Sequence, residues 1–376
     1  MVNGLTELLN VLEDTLDYSA QQRIIECHRR VLNWEETERL PLIVAYPYPQ
    51  SVSKFRPLPH REIFKNPENM LYNELLHAFD TSILLHKEIK DDLPYTIRAN
   101  FGTVIIASVL GGKVEQHEDS PPWVRHFETQ EDFLTIFDGN HSDTIEKQIF
   151  ETYNFYKDIL SGYPNLNKSI NIVLPDLQGP LDTLELLRGS NIYTDFILNP
   201  ELVDRGLSAI ADEQINLAKK LEPYVTSVSP GYSFQHNVLI KGNILIRNDS
   251  AIMISPEMYG SQVSKYDEHI LESMNGGGIH SCGKIDFNIP RIFELPSVKC
   301  FDFGQSYLNN IDNVYPVSAE KKIPLLRIRP TRELLLSGKI KEIYPTGISL
   351  VYDASSYEEA CYVSKEYGNI YGTNMN

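Results

Sequence analysis

The chain has 376 residues, 42% of them hydrophobic and 10% aromatic, enough to bury the core of one large domain or two ordinary ones. Its formal net charge is −17 and no basic stripe offsets it, which excludes duplex nucleic acid and an anionic membrane surface as expected partners. The first residues carry no basic segment followed by an apolar one, and no apolar run approaches the roughly 18 residues a bilayer span needs, so a cytoplasmic protein is expected. Its four cysteines, Cys27, Cys282, Cys300 and Cys361, are then expected to be reduced and free for metal or thiol chemistry.

In chain order, the first 35 or so residues read as helical and are expected to pack outside the main fold. Strands are predicted at 40–47 (LPLIVAYP), 102–110 (GTVIIASVL), 171–178 (NIVLPDLQ) and 243–249 (NILIRND). Four more follow at 277–282 (GGIHSC), 298–304 (VKCFDFG), 324–329 (PLLRIR) and 347–353 (GISLVYD). Most are rich in Val, Ile and Leu, as strands buried on both faces should be.

Helices fill the gaps. Leu202, Leu207, Ile210, Ile215, Ala218 and Leu221 recur at helical spacing behind Asn199-Pro200-Glu201, a start that combines a cap, a first-turn proline and a dipole-matched carboxylate. Asn66-Pro67-Glu68 and Ser255-Pro256-Glu257 repeat that signal, and Gly276 stops the helix after Ser255. Alternating strands and helices with eight strand candidates predict an α/β protein, a (β/α)8 barrel, as one domain over 1–376. The competing architecture is an open doubly wound sheet, and no G-x-G-x-x-G follows a strand to support a dinucleotide-binding form. Residues 111–170, which include EDSPPWV, are too long for a simple connection and read as an elaborated segment or lid.

GGGIHSCGK, residues 276–284, carries the chemistry. Residues i and i+2 of a strand share a face, so His280 and Cys282 project together at the strand's C-terminal end, where such barrels keep their active sites. Imidazole nitrogen and thiolate sulfur are both zinc ligands, against the plainer reading of a buried histidine beside a core cysteine. A catalytic zinc needs about three protein ligands and one open position. The third candidate is Asp353, at the end of the last strand, with Cys361 and Cys300 as alternatives. Asn248 and Asp249 end another strand and suit a catalytic or substrate-orienting role, or an Asx turn. Gln178, before a Gly-Pro turn, Arg98 and Asn100 in RANFG, and Tyr46 at the end of the first strand are the substrate-binding candidates. Glu88–Asp92, EIKDD, reads either as part of the mouth or as a solvated run.

QGPLDTLELLRGSNIYTDFILNPELVDRGL and ISPEMYGSQVSKYDEHILESMNGGGIHSCGKIDFNIPRIFEL together resemble the uroporphyrinogen decarboxylase superfamily, across roughly 170–305 and more loosely at 35–110 and beyond 320. The resemblance implies a (β/α)8 barrel. His280-Ser281-Cys282-Gly283 resembles the zinc-dependent, corrinoid-linked branch, typified by methylcobamide:coenzyme M methyltransferases. That branch implies zinc on His280 and Cys282, a corrinoid carried by a partner protein, a small thiol substrate, and a homodimer. Methyltransferases of this branch usually place a third cysteine in a Gly-Cys-Gly turn after the last strand; this chain has VYDASS there, which leaves Asp353 or Cys361 for that position. The decarboxylase branch implies an arginine-rich segment like RQAGRY; YPYPQSVSKFRPLPHRE keeps Arg56 and Arg61 without the motif. A porphyrinogen decarboxylase, or a barrel that binds a corrinoid or tetrapyrrole without turnover, are the alternatives.

Overall fold

The computed structural model describes residues 4–76, 82–117, 120–139 and 145–372. It is a mixed α/β protein built on parallel strands. We number these β1 (Leu42–Ala45), β2 (Thr96–Ile97), β3 (Asn171–Ile172), β4 (Ile244–Arg247), β5 (Gly277–Ser281), β6 (Val298–Phe303), β7 (Leu325–Ile328) and β8 (Ile348–Asp353). Six form one parallel sheet in the order β1-β8-β7-β6-β5-β4, and β2 pairs in parallel with β3. Seven of these lie within the predicted strands. The exception is 102–110, which instead contains a helix, Ile105–Val109, while the strand lies just before it at Thr96–Ile97. A short, continuous apolar run has no period to separate a buried strand from a buried helix; Val104, Ile105, Ile106 and Ala107 are all buried.

The helix starts follow their local chemistry with one exception. Asn66 accepts the Asn69 N–H at 2.8 Å and Ser255 accepts the Met258 N–H at 3.2 Å, as N-caps do. Asn199 does not cap the Pro200–Leu221 helix; its amide donates to Asp195 at 2.7 Å. After the Ser264–Ser273 helix, Gly276 takes φ +91° and its N–H returns to the Leu271 carbonyl at 2.7 Å.

Both faces of the six-stranded sheet are buried, by different partners. Leu42, Val44, Ile244, Ile246, Leu325 and Leu350 belong to a large apolar cluster shared with the helices. Ile43, Leu245, Cys300, Leu326 and Val351 point the other way and pack with Phe234, Val238, Leu239 and Ile240. The last four lie on an antiparallel hairpin, Tyr232–Gln235 with Val238–Lys241. The hairpin therefore fills the inner side of the sheet. Helix α1 (Leu5–Thr15) packs with the large cluster outside the sheet, whereas α2 (Tyr18–Leu32), expected outside as well, lies against the hairpin and adds Leu32 to the inner cluster, with Asn33 accepting from the Tyr232 hydroxyl at 2.6 Å.

The free edge of β1 is met by side chains. Asp91 accepts the Val44 N–H at 2.7 Å and Asp92 the Leu42 N–H at 2.8 Å, while the Asp92 N–H donates to the Leu42 carbonyl at 2.8 Å. The acidic run at 88–92 thus buries its last two carboxylates, Asp92 against the Arg39 guanidinium and Asp91 against His86 at 2.9 Å. Segment 111–170 is elaborated as expected: a hairpin of Lys113–Glu115 with Trp123–Arg125, then helices at Glu146–Ser161 and Pro164–Ser169. Glu118, Asp119 and residues 140–144 of that segment lie outside the described residues.

Candidate metal centre

In-register pairing sets one polar row across the sheet. His280 of β5 pairs with Arg247 of β4 on one side and with Asp302 of β6 on the other. Close packing of these strands needs glycine: a Cβ on Gly277 would lie 2.0 Å from the Ile244 carbonyl oxygen, and one on Gly278 would lie 2.7 Å from the Cys300 sulfur. Gly277 and Gly278 therefore serve strand packing, while Gly276 makes the turn that ends the preceding helix.

His280 is 2% exposed. Its Nδ1 is 2.9 Å from Asp302 Oδ2, and its Nε2 is 3.5 Å from the Cys282 sulfur and 3.6 Å from Asp249 Oδ1. The Cys282 N–H donates to Asp249 Oδ1 at 2.6 Å. The ligand atoms of Asp249, His280 and Cys282 all lie within 4.8 Å of one another. Gly304 leaves the thiol its room, since a Cβ there would stand 2.5 Å from the Cys282 sulfur.

Electrostatics favour a cation at this point. Burial would push the Asp302 carboxyl up, but the Arg327 charge, His280 and their hydrogen bonds hold it well below the usual range. Asp302 is thus a carboxylate that accepts from Nδ1–H, leaving the Nε2 lone pair aimed at Cys282 and Asp249. Burial, then the charge of Asp249, pushes the Cys282 thiol up to about 12. A divalent ion reverses both effects at once by neutralising the carboxylate and binding the thiolate.

Behind the centre, the two Asp182 oxygens accept the N–H groups of Asp249 and Ser250 at 2.9 and 2.7 Å, fixing the loop that carries Asp249. Burial and the neighbouring Asp249 push the Asp182 carboxyl up to about 8.

A second group, His236, His280 and Asp302, also lies within reach of one ion. Its surroundings oppose a cation. Arg327 forks Asp302 at 2.6 and 2.5 Å, and Arg247 Nε donates to His236 Nε2 at 3.0 Å. Burial, then the charges of Arg247, Arg98 and Arg327, pull the His236 ring far below its ordinary value.

The centre opens on a cavity of about 870 Å³ whose wall includes His236, Arg98, Asn100, Glu74, Asp176 and Trp123. Arg98 and Asn100, both substrate-binding candidates, line this wall, held by Glu74, which accepts the Arg98 N–H at 3.1 Å and the Asn100 amide at 2.9 Å. Asp353 also reaches the wall, but it pairs with Arg329 at 2.7 Å and belongs to neither ligand group, so its expected place as third ligand passes to Asp249. Cys300 is buried in the inner apolar cluster, and Cys361 lies half-buried on the Tyr357–Ile370 helix; neither joins a ligand group among the described residues. Asn248 is fully buried and donates to Asp267 at 2.7 Å, a structural contact away from the cavity wall. Gln178 is buried with φ +57°, its carbonyl accepting from Gln214 at 2.7 Å, and Tyr46 packs on Tyr357 at 6.0 Å; neither lines the cavity.

Sequence reasoning missed Asp302, Arg327, Asp176 and His236. A signal existed for one of them, Asp302: ILIRND, GGIHSC and VKCFDFG each carry a charged or imidazole side chain late in an apolar run. Such residues at one height in consecutive parallel strands must meet. His236 sits at a hairpin tip that no strand pattern announces. The chain matches no protein-family model and no curated protein.

Proposed function

We propose that the chain is a zinc-dependent methyltransferase acting on a small thiol, with the methyl group exchanged with a corrinoid on a partner protein. The observation that carries this reading is the Asp249–His280–Cys282 group with Asp302 behind the imidazole. One oxygen, one nitrogen and one sulfur donor suit zinc, and three protein ligands leave a position for substrate. Zinc there would hold a substrate thiol as thiolate at neutral pH. The chain's own residues do the rest: Asp302 orients His280, Asp182 fixes the Asp249 loop, and the cavity wall around Arg98 and Asn100 positions the remainder of the substrate.

The fold we propose is a closed (β/α)8 barrel, with β2 and β3 as the arc between β1 and β4. Asp91 and Asp92 bridge β1 to the segment entering β2. On the other side, Gly179 packs so closely on β4 that a Cβ would lie 2.1 Å from the Arg247 carbonyl oxygen. The hairpin then occupies the barrel's interior and the cavity its C-terminal mouth.

A porphyrinogen decarboxylase needs surplus positive charge for a polycarboxylate substrate. The arginines lining this cavity have carboxylate neighbours: Arg247 with Asp176 at 2.8 Å, Arg98 with Asp176 at 3.9 Å, Arg329 with Asp353 at 2.7 Å, and Arg327 with Asp302. That balance favours the thiol reading. Elemental analysis of protein purified without chelator tests it, paired with methyl transfer from methylcobalamin to a panel of thiols. About one zinc per chain, lost in Cys282→Ser, with thiol methylation, is the expected result. Zinc without turnover leaves a metal-binding barrel, and no zinc in either protein ends the reading.

A further inference from the structure

β7 breaks its own pattern at Arg327. In a regular strand, successive side chains alternate between faces. Leu326 packs in the inner apolar cluster, so Arg327 should face outward among the helices. It faces inward instead and lines the cavity. The cause is its backbone: φ is +56°, in the left-handed region that a side chain rarely adopts. The pairing of β7 with β8 shifts register between Leu325 and Ile328, and the Arg327 N–H goes to the Ser349 hydroxyl at 3.1 Å rather than to a strand carbonyl. Ile328 then returns to the outer cluster. A ladder interruption and a left-handed residue together re-aim one side chain, a use of bulges seen beside functional sites.

The re-aimed guanidinium reaches Asp302 with both forks, Nε to Oδ1 at 2.6 Å and Nη2 to Oδ2 at 2.5 Å. Nη2 also lies 3.0 Å from His280 Nδ1, but a guanidinium only donates, so the acceptor for Nδ1–H is Asp302 Oδ2 and not Nη2. Asp302 is fully buried and bound from one side by this fork, so its free orientation is lost, and Oδ2 stays 2.9 Å from Nδ1.

We propose that Arg327 is a positioning residue of the metal centre: it fixes the Asp302 carboxylate so that His280 keeps its proton on Nδ1 and offers Nε2 to the ion. This rests on the metal-centre reading. A lysine cannot replace it, because an ammonium cannot fork a carboxylate. Glycine can replace its backbone, because glycine takes a positive φ without strain.

The experiment measures zinc affinity by chelator competition in wild type, Arg327→Gly and Arg327→Lys, with thermal melting alongside and the His280 ring ¹⁵N shifts of the metal-free proteins. The expected result is a 10–100-fold loss of zinc affinity in Arg327→Gly, of the size typical for outer partners of a ligand, with folding retained. Arg327→Lys falls in the same direction. The ring signals should show Nδ1–H in wild type and a mixture of tautomers in both variants. Wild type that binds zinc, with variants that bind equally tightly and keep one tautomer, overturns the inference alone. Wild type that binds no zinc overturns the metal reading and this inference with it. If Arg327→Gly does not fold, Arg327→Lys and its ring signals decide.

Discussion

The Cys282 backbone N–H donates to Asp249 Oδ1 at 2.6 Å, so the ends of β4 and β5 deliver a carboxylate and a thiol to one point beside His280. This contact, rather than the closing strand, supplies the third donor. Asp249→Ala is expected to weaken zinc binding by more than the roughly 10–100-fold typical of an outer partner. Asp353→Asn, which removes only an ion pair with Arg329, should leave affinity within a few-fold of wild type. Chelator competition on both variants reads this directly; equal losses would return Asp353 to the ligand set.

Metal binding should release a proton from Cys282. The free thiol is pushed up to about 12 by burial and Asp249, so it is protonated at neutral pH and must ionise to coordinate. Zinc affinity should therefore rise about tenfold per pH unit from this group across the neutral range. In Cys282→Ser that component vanishes. A pH-independent wild-type affinity would mean that Cys282 stays outside the coordination sphere.

Seven of the eight strand positions and the His280–Cys282 pair were legible because both rest on local rules: buried parallel strands are apolar runs, and residues i and i+2 share a face. The third donor was not, because Asp249 reads equally well as an Asx turn and only the β4–β5 register brings it to Cys282. Arg327 was unreadable for a related reason. Alternation in PLLRIR assigns it to the outer face, and a left-handed backbone at a non-glycine residue leaves no trace in the sequence. The 102–110 run misled because β-branched residues suit a buried helix when every face is covered; its neighbour at 96–97 is too short to show a period.

The packing of the turn after β3 on β4 depends on Gly179. A Cβ there would lie 2.1 Å from the Arg247 carbonyl oxygen and 2.8 Å from an Ile246 methyl, and a strand backbone cannot move aside as a flexible side chain can. Gly179→Ala should destabilise the fold by about 3 kcal/mol or more, at the upper end of overpacking costs. Arg247 ends β4 in the polar row, so the same variant should weaken zinc binding. Denaturant unfolding checks the first effect, and an unchanged midpoint would deny that this turn packs against β4.

Asp267 gives stability a distinct pH dependence. It is fully buried, accepting from Asn248 at 2.7 Å and from the Tyr259 hydroxyl at 2.8 Å. Burial pushes its carboxyl up to about 7, with those two hydrogen bonds opposing. In the unfolded chain an aspartate titrates near 3.9. Between these values the folded state holds a proton that the unfolded state has lost, so stability falls as pH rises from about 4 to 7 and levels off above. Asp267→Asn cannot lose that proton. Its stability relative to wild type should climb across the same window and stay constant on either side. Denaturant midpoints of both proteins from pH 4 to 8 test this by difference, which cancels the other titrating groups. A difference that stays flat throughout would mean Asp267 is ionised in the fold, and that its hydrogen bonds from Asn248 and Tyr259 outweigh its burial.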